Sequence, residues 1–122
     1  MNNGKFKIPC NKRNFFKRWL LITQPFHKIK KRQVSILTEL LYHHDMLKND
    51  YNNEDDLWKA VFDYETKLKI RNDLNIEDHI IQNSLTILRK AGIIEKRKIK
   101  DKFIPDVKNG KYELKFEFII DG

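Results

Sequence analysis

The stretch IIQNSLTILRKAGIIEKRK, residues 80–98, decides the fold that the sequence predicts. Its apolar side chains recur at helical spacing up to Ala91, and Gly92 stands where a helix commonly ends in the left-handed conformation. After Gly92, two isoleucines lead into a basic run and the helical period is lost. The stretch therefore predicts an amphipathic helix followed by a strand. It leaves open whether the helix reads DNA or packs into an assembly.

The chain before this stretch predicts further helices. Residues 1–12 read as an arm, and a short helix is expected over 14–23, with Asn14 as its cap and with Phe15, Trp19 and Ile22 on one side. The next helix is expected from about Lys30 to Leu47, with no capping residue and with cations at its start.

The middle of the chain predicts a helix-turn-helix unit. Residues 57–62 are helical or extended, and Asp63 caps a helix over 64–73. Asn75 and Ile76 make the turn, and Glu77 or Asp78 opens the helix that continues to Lys90.

Two strands are expected after Gly92. Ile93, Ile94 and Ile99 indicate the first strand, and Asn109-Gly110 is a turn signal. KYELKFEF, residues 111–118, alternates charged and apolar side chains, which is typical of a half-buried strand. We therefore expect antiparallel strands near 93–99 and 111–119.

The charges are sorted along the chain, whose net charge is +8 at pH 7. Residues 1–38 carry ten basic and no acidic side chains, residues 39–78 carry five basic and eleven acidic, and residues 79–122 carry ten basic and six acidic. Such asymmetry indicates a polyanionic or acidic partner, because solubility alone does not require sorted signs.

The sequence has none of the residue patterns of an enzyme or a metalloprotein. Cys10 is the single cysteine, and His43 and His44 are adjacent, so no internal disulfide and no metal-ligand spacing is present. There is no glycine-rich phosphate loop and no Ser–His–Asp signature. We expect a non-enzymatic protein with no cofactor, no metal and no small-molecule substrate. No apolar run is long enough to cross a membrane, and no signal peptide is evident.

The order of these elements resembles the winged-helix family. The residues that carry the resemblance are LKIRNDLNIEDHIIQNSLTILRKAGII, 68–94, of which LRKAGII is similar to the junction between a family recognition helix and the first wing strand. The resemblance implies an α+β fold: a basic N-terminal arm and short helix over 1–28, then a mainly helical winged-helix domain over 29–122 with a C-terminal two-stranded β wing. One departure is that Glu77 and Asp78 stand where the family usually has Ser or Thr facing a phosphate.

A narrower resemblance is to small proteins of tailed bacteriophages, the crAss-like group in particular. It is carried by WLLITQPFHKI (19–29), LTELLY (37–42) and DLWKAVFDYETKLKIRNDLNI (56–76). It implies a phage protein without catalysis, and subunits of the head–tail connector become candidates.

Three sets of residues are candidates for binding a partner or nucleic acid. The exposed side of the last helix has residue types that can bind base edges, although an ordinary solvated helix face is the alternative. The basic run after Gly92 could contact phosphates or the acidic side chains of a neighbour. The recognition-helix set is His79, Gln82, Asn83, Thr86, Arg89 and Lys90; the wing set is Lys96, Arg97, Lys98, Lys100 and Lys102; the arm set is Lys5, Lys7, Lys12, Arg13, Lys17, Arg18, Lys28, Lys30, Lys31 and Arg32.

Two functions follow from these patterns. The first is a non-catalytic structural module: a small subunit of a tailed-phage virion, in a head–tail connector or neck ring assembled in the host cytoplasm. Its partners would be other protein subunits, in a homo- or hetero-oligomer with non-specific DNA contact, and its arm would face an acidic neighbour or packaged DNA. The second is a cytoplasmic, DNA-associated regulator of transcription or replication that binds double-stranded DNA. The acidic start of the last helix favours the first function, and RNA binding is a distant third.

Overall fold

The computed structural model describes residues 6–122, and in that range the chain is mainly helical with one small antiparallel sheet. The expected α+β class is therefore confirmed. The helices are α1 Lys12–Ile22, α2 Gln24–His27, α3 Lys31–Leu47, α4 Glu54–Val61, α5 Tyr64–Leu74 and α6 Asp78–Lys90; the strands are β1 Ile94–Glu95 and β2 Lys98–Ile99, and a 3₁₀-helix follows at Asp101–Phe103.

Helix α3 is the centre of the core. It packs against α1, α4, α5 and α6, and it is buried on several sides rather than along one stripe. Ile36 and Leu37 are fully enclosed, and Glu39 is buried beside them. The helix begins at Lys31 with Lys30 as its N-cap residue and has no side-chain cap, as the sequence predicted.

Helix α1 begins earlier than expected. Asn11 is the cap, because its side chain accepts a hydrogen bond from the Asn14 N–H at 2.9 Å, so the prediction of Asn14 as the cap is wrong. The buried face carries Phe16, Trp19 and Leu20, which belong to the core that α3 forms. Ile22, which was predicted to lie on the apolar side with Phe15 and Trp19, is exposed. A division of the chain at residue 28 stays a prediction.

Helices α5 and α6 and the turn between them form as predicted. The Asp63 carboxylate accepts a hydrogen bond from the Thr66 N–H at 2.8 Å and caps α5. Asn75 ends α5 in the left-handed conformation with φ +53°, and Glu77 is the N-cap residue of α6. Before α5, residues 57–61 belong to helix α4, which Asn53 caps, and Phe62 is the C-cap residue of that helix.

The end of α6 leads into the sheet. Gly92 has φ +78°, the conformation predicted for it, and the Ile93 N–H donates to the Leu88 carbonyl at 3.0 Å. This bond is the 6→1 bond of a Schellman motif, which closes the helix and redirects the chain into β1.

The predicted wing pairing is wrong. The sheet forms within residues 94–99 alone, where β1 pairs with β2 through a two-residue turn at Lys96 and Arg97. In this local hairpin β1 forms its backbone hydrogen bonds with β2, so it does not pair with residues 111–119. The predicted Asn109-Gly110 turn does form, with both residues at positive φ, but its ladder stops at a single Lys108–Lys111 bridge. Pro105 and the 3₁₀-helix would face residues 114 and 116–118, so they prevent a ladder from continuing along the segment.

Candidate interaction surfaces

The recognition-helix set lies on the exposed side of α6. All six of its residues are exposed, while Ile81, Ser84, Leu85 and Leu88 face the core. The separation of the two faces agrees with the periodicity of the sequence. Thr86 uses its hydroxyl to donate to the Gln82 carbonyl at 3.1 Å, so that hydroxyl is engaged within the helix.

The start of α6 is acidic. Glu77 and Asp78 are exposed, and Glu77 makes no side-chain capping bond. His79 Nδ1 lies 3.2 Å from the Glu77 carboxylate, so these two side chains contact each other at the start of the helix. A phosphate approaching the first turn of α6 would meet two carboxylates, which oppose the favourable field of the helix dipole.

The wing set and the end of α6 form one open cleft of about 840 Å³. Of the predicted sites, Arg89 and four of the five wing residues line it, and Lys102 does not. The cleft is of mixed charge. Lys98 Nζ lies 3.5 Å from Glu54, and Lys100 Nζ lies 3.7 Å from Glu95. The cations and acids that line it are Arg89, Lys96, Arg97, Lys98, Lys100 and Lys59 with Asp55, Glu95 and Asp101.

A second basic surface surrounds the start of α3. We call Lys28, Lys30, Lys31 and Arg32 the α3 basic cluster; all four are exposed, and within residues 6–122 none has an acidic partner within 4 Å. Lys28 has φ +58°, and Lys30 is the uncapped N-cap residue. The cations lie at the positive end of the helix dipole, where they destabilise the helix unless an anion binds.

Part of the arm set is used inside the fold. Lys12 Nζ lies 2.9 Å from Asp45, and Arg13 lies 2.9 Å from Glu39 and 3.5 Å from Asp73. The basic first segment therefore pairs partly with the acidic middle of the same chain. Lys5 lies outside the described residues, and the remaining members from Lys7 onward are exposed.

Arg13 belongs to a polar cluster that the sequence did not predict. One ligand-type atom from each of Glu39, His43 and Asp73 lies within 4.8 Å of the other two. Burial raises the pKa of Glu39, although Arg13 acts in the opposite direction. The cluster could not be predicted from the sequence, because Asp73 belongs to α5 and is far along the chain from Glu39 and His43 in α3. Arg13 contacts both carboxylates of the cluster, so a network of ion pairs accounts for the arrangement.

The two adjacent histidines occupy different surroundings. The His44 ring stacks on Trp58 with ring centroids 4.3 Å apart, and burial lowers its pKa. Burial also lowers the pKa of His43, and Lys69 and Arg13 add to the effect. Both rings are therefore held in the neutral form at neutral pH.

The last surface is the C-terminal segment, residues 111–121. Its anchor is Tyr112, whose hydroxyl accepts a hydrogen bond from the Trp19 indole N–H at 3.1 Å and whose ring lies 5.5 Å from that of Phe15. Residues 112–122 form no strand, so the prediction of a half-buried strand over 111–118 is wrong. Tyr112 is partly buried, and beyond it the apolar side chains are exposed. Those exposed side chains are Leu114, Phe116, Phe118, Ile119 and Ile120.

Comparison of the chain with protein-family models, curated proteins and solved structures finds no match. Among the described residues, no helix is both long enough and apolar enough to cross a membrane.

Proposed function

We propose that the protein is a non-catalytic interaction module that works as a subunit of a larger protein assembly. The observation that carries the proposal is the C-terminal segment. Phe116 and Phe118 are 55% and 86% exposed, and they follow an anchored residue that fixes where the segment leaves the core. Burying one such side chain contributes roughly 1.5–3 kcal/mol, so a partner that covers several of them gains substantial affinity.

The charges support the same proposal. Lys12 and Arg13 are paired internally, while the α3 basic cluster is free of acidic partners within residues 6–122. A neighbouring subunit with an acidic surface, or nucleic acid enclosed by an assembly, would neutralise that cluster. The cleft between α6 and the hairpin has both signs of charge, which suits a polar protein contact better than a uniform phosphate backbone.

In its finer form, the proposal is a subunit of a tailed-phage particle near the head–tail connector, built on a reduced winged helix. The resemblance of residues 19–76 to phage proteins supports the location, and α5, α6 and the hairpin follow the winged-helix order. The wing would be only as long as the two-residue strands β1 and β2.

Mass and symmetry test this proposal. Light scattering after size-exclusion chromatography, followed by electron microscopy, should find a defined oligomer, or incorporation when the other particle proteins are present. A chain that stays monomeric with all of them and binds one duplex sequence selectively would overturn the proposal.

A second function, binding of double-stranded DNA, is favoured by one observation: all six recognition-helix residues are exposed on one side of α6. If Asn83 and Arg89 contact bases, each bidentate contact that is lost should cost roughly 1–3 kcal/mol on a preferred sequence. Removing Glu77 and Asp78 should then tighten binding, because a repulsion is relieved.

Fluorescence anisotropy separates the two functions. For an assembly module, Asn83→Ala with Arg89→Ala should leave DNA affinity nearly unchanged, and binding should show no sequence preference and fall steeply with salt. For a regulator, a strong preference for one duplex at physiological salt should vanish in the double variant. Lys69→Ala with Asn72→Ala is the matched control, because it removes one cation and one amide from exposed positions of α5 outside the three candidate sets.

A further inference from the structure

We infer that the C-terminal segment pairs with the same segment of a second copy of this chain, as antiparallel β-strands centred on Phe116. This inference rests on the proposed assembly function and names the partner of its main surface. It follows from three properties of residues 111–121: a free backbone edge, an apolar face and a self-complementary charge pattern.

The backbone edge is defined by the Lys108–Lys111 bridge. The Lys111 N–H and C=O both exchange hydrogen bonds with Lys108, at 2.9 and 3.0 Å. In an extended strand, successive residues direct these groups to opposite sides. Residues 112–122 form no strand in the single chain, and pairing with a second copy would order them as one. In that extended conformation Leu114, Phe116 and Phe118 direct these groups away from Lys108, to an edge that no strand of residues 6–122 occupies. A second strand can therefore add to that edge without disturbing the turn.

The apolar face matches itself when the pairing is centred on Phe116. Phe116 then lies opposite Phe116 of the second copy, Leu114 opposite Phe118, and Tyr112 opposite Ile120. Every apolar side chain on this face then has an apolar cross-strand neighbour, including Phe118 and Ile120, which are 86% and 87% exposed in the single chain. Tyr112 ties the new ribbon to α1 through its contact with Trp19.

The charged and apolar faces together select the register. With Phe116 at the centre, Lys115 lies opposite Glu117 and Lys111 lies opposite Asp121, and each pair occurs twice by symmetry. Centring on Lys115 instead places that lysine opposite itself, and like charges directly opposite are destabilising. Centring on Leu114 also pairs opposite charges, but it leaves Phe118 opposite Gly110 and so leaves much of the apolar face uncovered.

The pairing has a consequence for symmetry. Both copies contribute the same patch, so the contact closes with two chains. A ring built from this protein would then consist of dimers joined through another surface.

Reciprocal charge reversal tests the inference in the full-length chain. Lys115→Glu places acid opposite acid, and Glu117→Lys places base opposite base, so each variant alone should dimerise roughly tenfold more weakly or worse. An equimolar mixture of the two variants should recover dimers, because each reversed position then faces the opposite charge. Sedimentation velocity measures all three samples, and Glu65→Lys and Lys69→Glu are the controls, with the same charge changes on the exposed surface of α5.

Loss of dimers in each variant and recovery in the mixture would establish this register. Loss without recovery would overturn it, because pairing centred on Leu114 leaves like charges opposite in the mixture. If both variants dimerise as well as the native chain does, the inferred pairing is overturned, while the proposed assembly function stays intact. If the native chain is monomeric by itself but enters an assembly with other proteins, the inferred self-pairing is likewise overturned and the assembly function is kept.

Discussion

Arg13 Nε lies 2.9 Å from Glu39 Oε2, and this ion pair joins the first helix to a carboxylate that is buried in α3. Arg13→Met would leave Glu39 enclosed without its cation, so we expect the free energy of unfolding to fall by roughly 3 kcal/mol. Urea denaturation at neutral pH measures the change. Lys12→Met is the control: Lys12 is largely exposed, and its partner Asp45 keeps Lys48 at 2.8 Å, so the loss of stability should be much smaller than in Arg13→Met.

The histidines predict how stability depends on pH. Burial lowers the pKa of His43 and His44, so the unfolded chain takes up protons at a higher pH than the folded chain. Stability is therefore complete above the ordinary histidine pKa of about 6.5 and is lost as the pH falls toward the lowered values. Unfolding measured between about pH 7.5 and pH 5.5 should show this loss.

A double variant isolates the contribution of the histidines. His43→Gln with His44→Phe removes both titrating rings and keeps an aromatic ring against Trp58. Burial raises the pKa of Glu39, so that group takes up its proton more readily when folded and favours the folded state as the pH falls. The pH dependence should then become flat or change sign over the same interval. An unchanged slope would show that other groups control it.

The contribution of Asn75 to stability should come from its backbone conformation and not from its side chain. Asn75 has φ +53° and ends α5 through backbone bonds to Arg71 and Asn72. Asn75→Ala should cost about 1 kcal/mol of stability, because alanine disfavours the left-handed region. Asn75→Gly should be nearly neutral, since glycine adopts it freely. Thermal unfolding of the two variants, measured side by side, tests the difference.

The start of α3 predicts opposite effects on stability and on binding. Lys30→Ser supplies the missing cap and removes a cation from the positive end of the helix, so we expect a gain of about 1 kcal/mol. The same change should weaken binding to random duplex DNA and lower its dependence on salt. Lys90→Ser, at the end of α6, removes an equal charge but should not stabilise the fold. A loss of stability in Lys30→Ser would contradict the assignment of Lys30 as an unfavourable cap.

The sequence predicted the helices well because each signal is local. Periodicity and the side-chain cap at Asp63 need only a few neighbouring residues, and the turn at Asn75 and the end at Gly92 were read in the same way. The error at α1 has a local cause too. Asn11 and Asn14 can both cap a helix, and only the packing of Phe16 and Leu20 decides which one does.

The strand pairing and the polar cluster could not be read in the same way. Alternation over residues 111–118 predicts an amphipathic strand, but it does not say which chain covers it. The pairs that Arg13 makes with Glu39 and Asp73 join three separate helices, so no spacing rule contains them. The sorted charges predict an external polyanionic or acidic partner, but Lys12 and Arg13 pair with acids of the same chain.

The hydrogen bond from Trp19 to Tyr112 spans 93 residues, so it closes a loop that includes most of the chain. During synthesis, α1 leaves the ribosome long before Tyr112 has been made. The part of α1 that contacts Tyr112, at Phe15 and Trp19, is therefore uncovered until the end of the chain is available. Contacts of such large sequence separation form slowly because the loop entropy has to be overcome first. The environment of the Trp19 indole therefore reports a late step of folding, and the surface of α1 that Tyr112 covers stays open to chaperones until then.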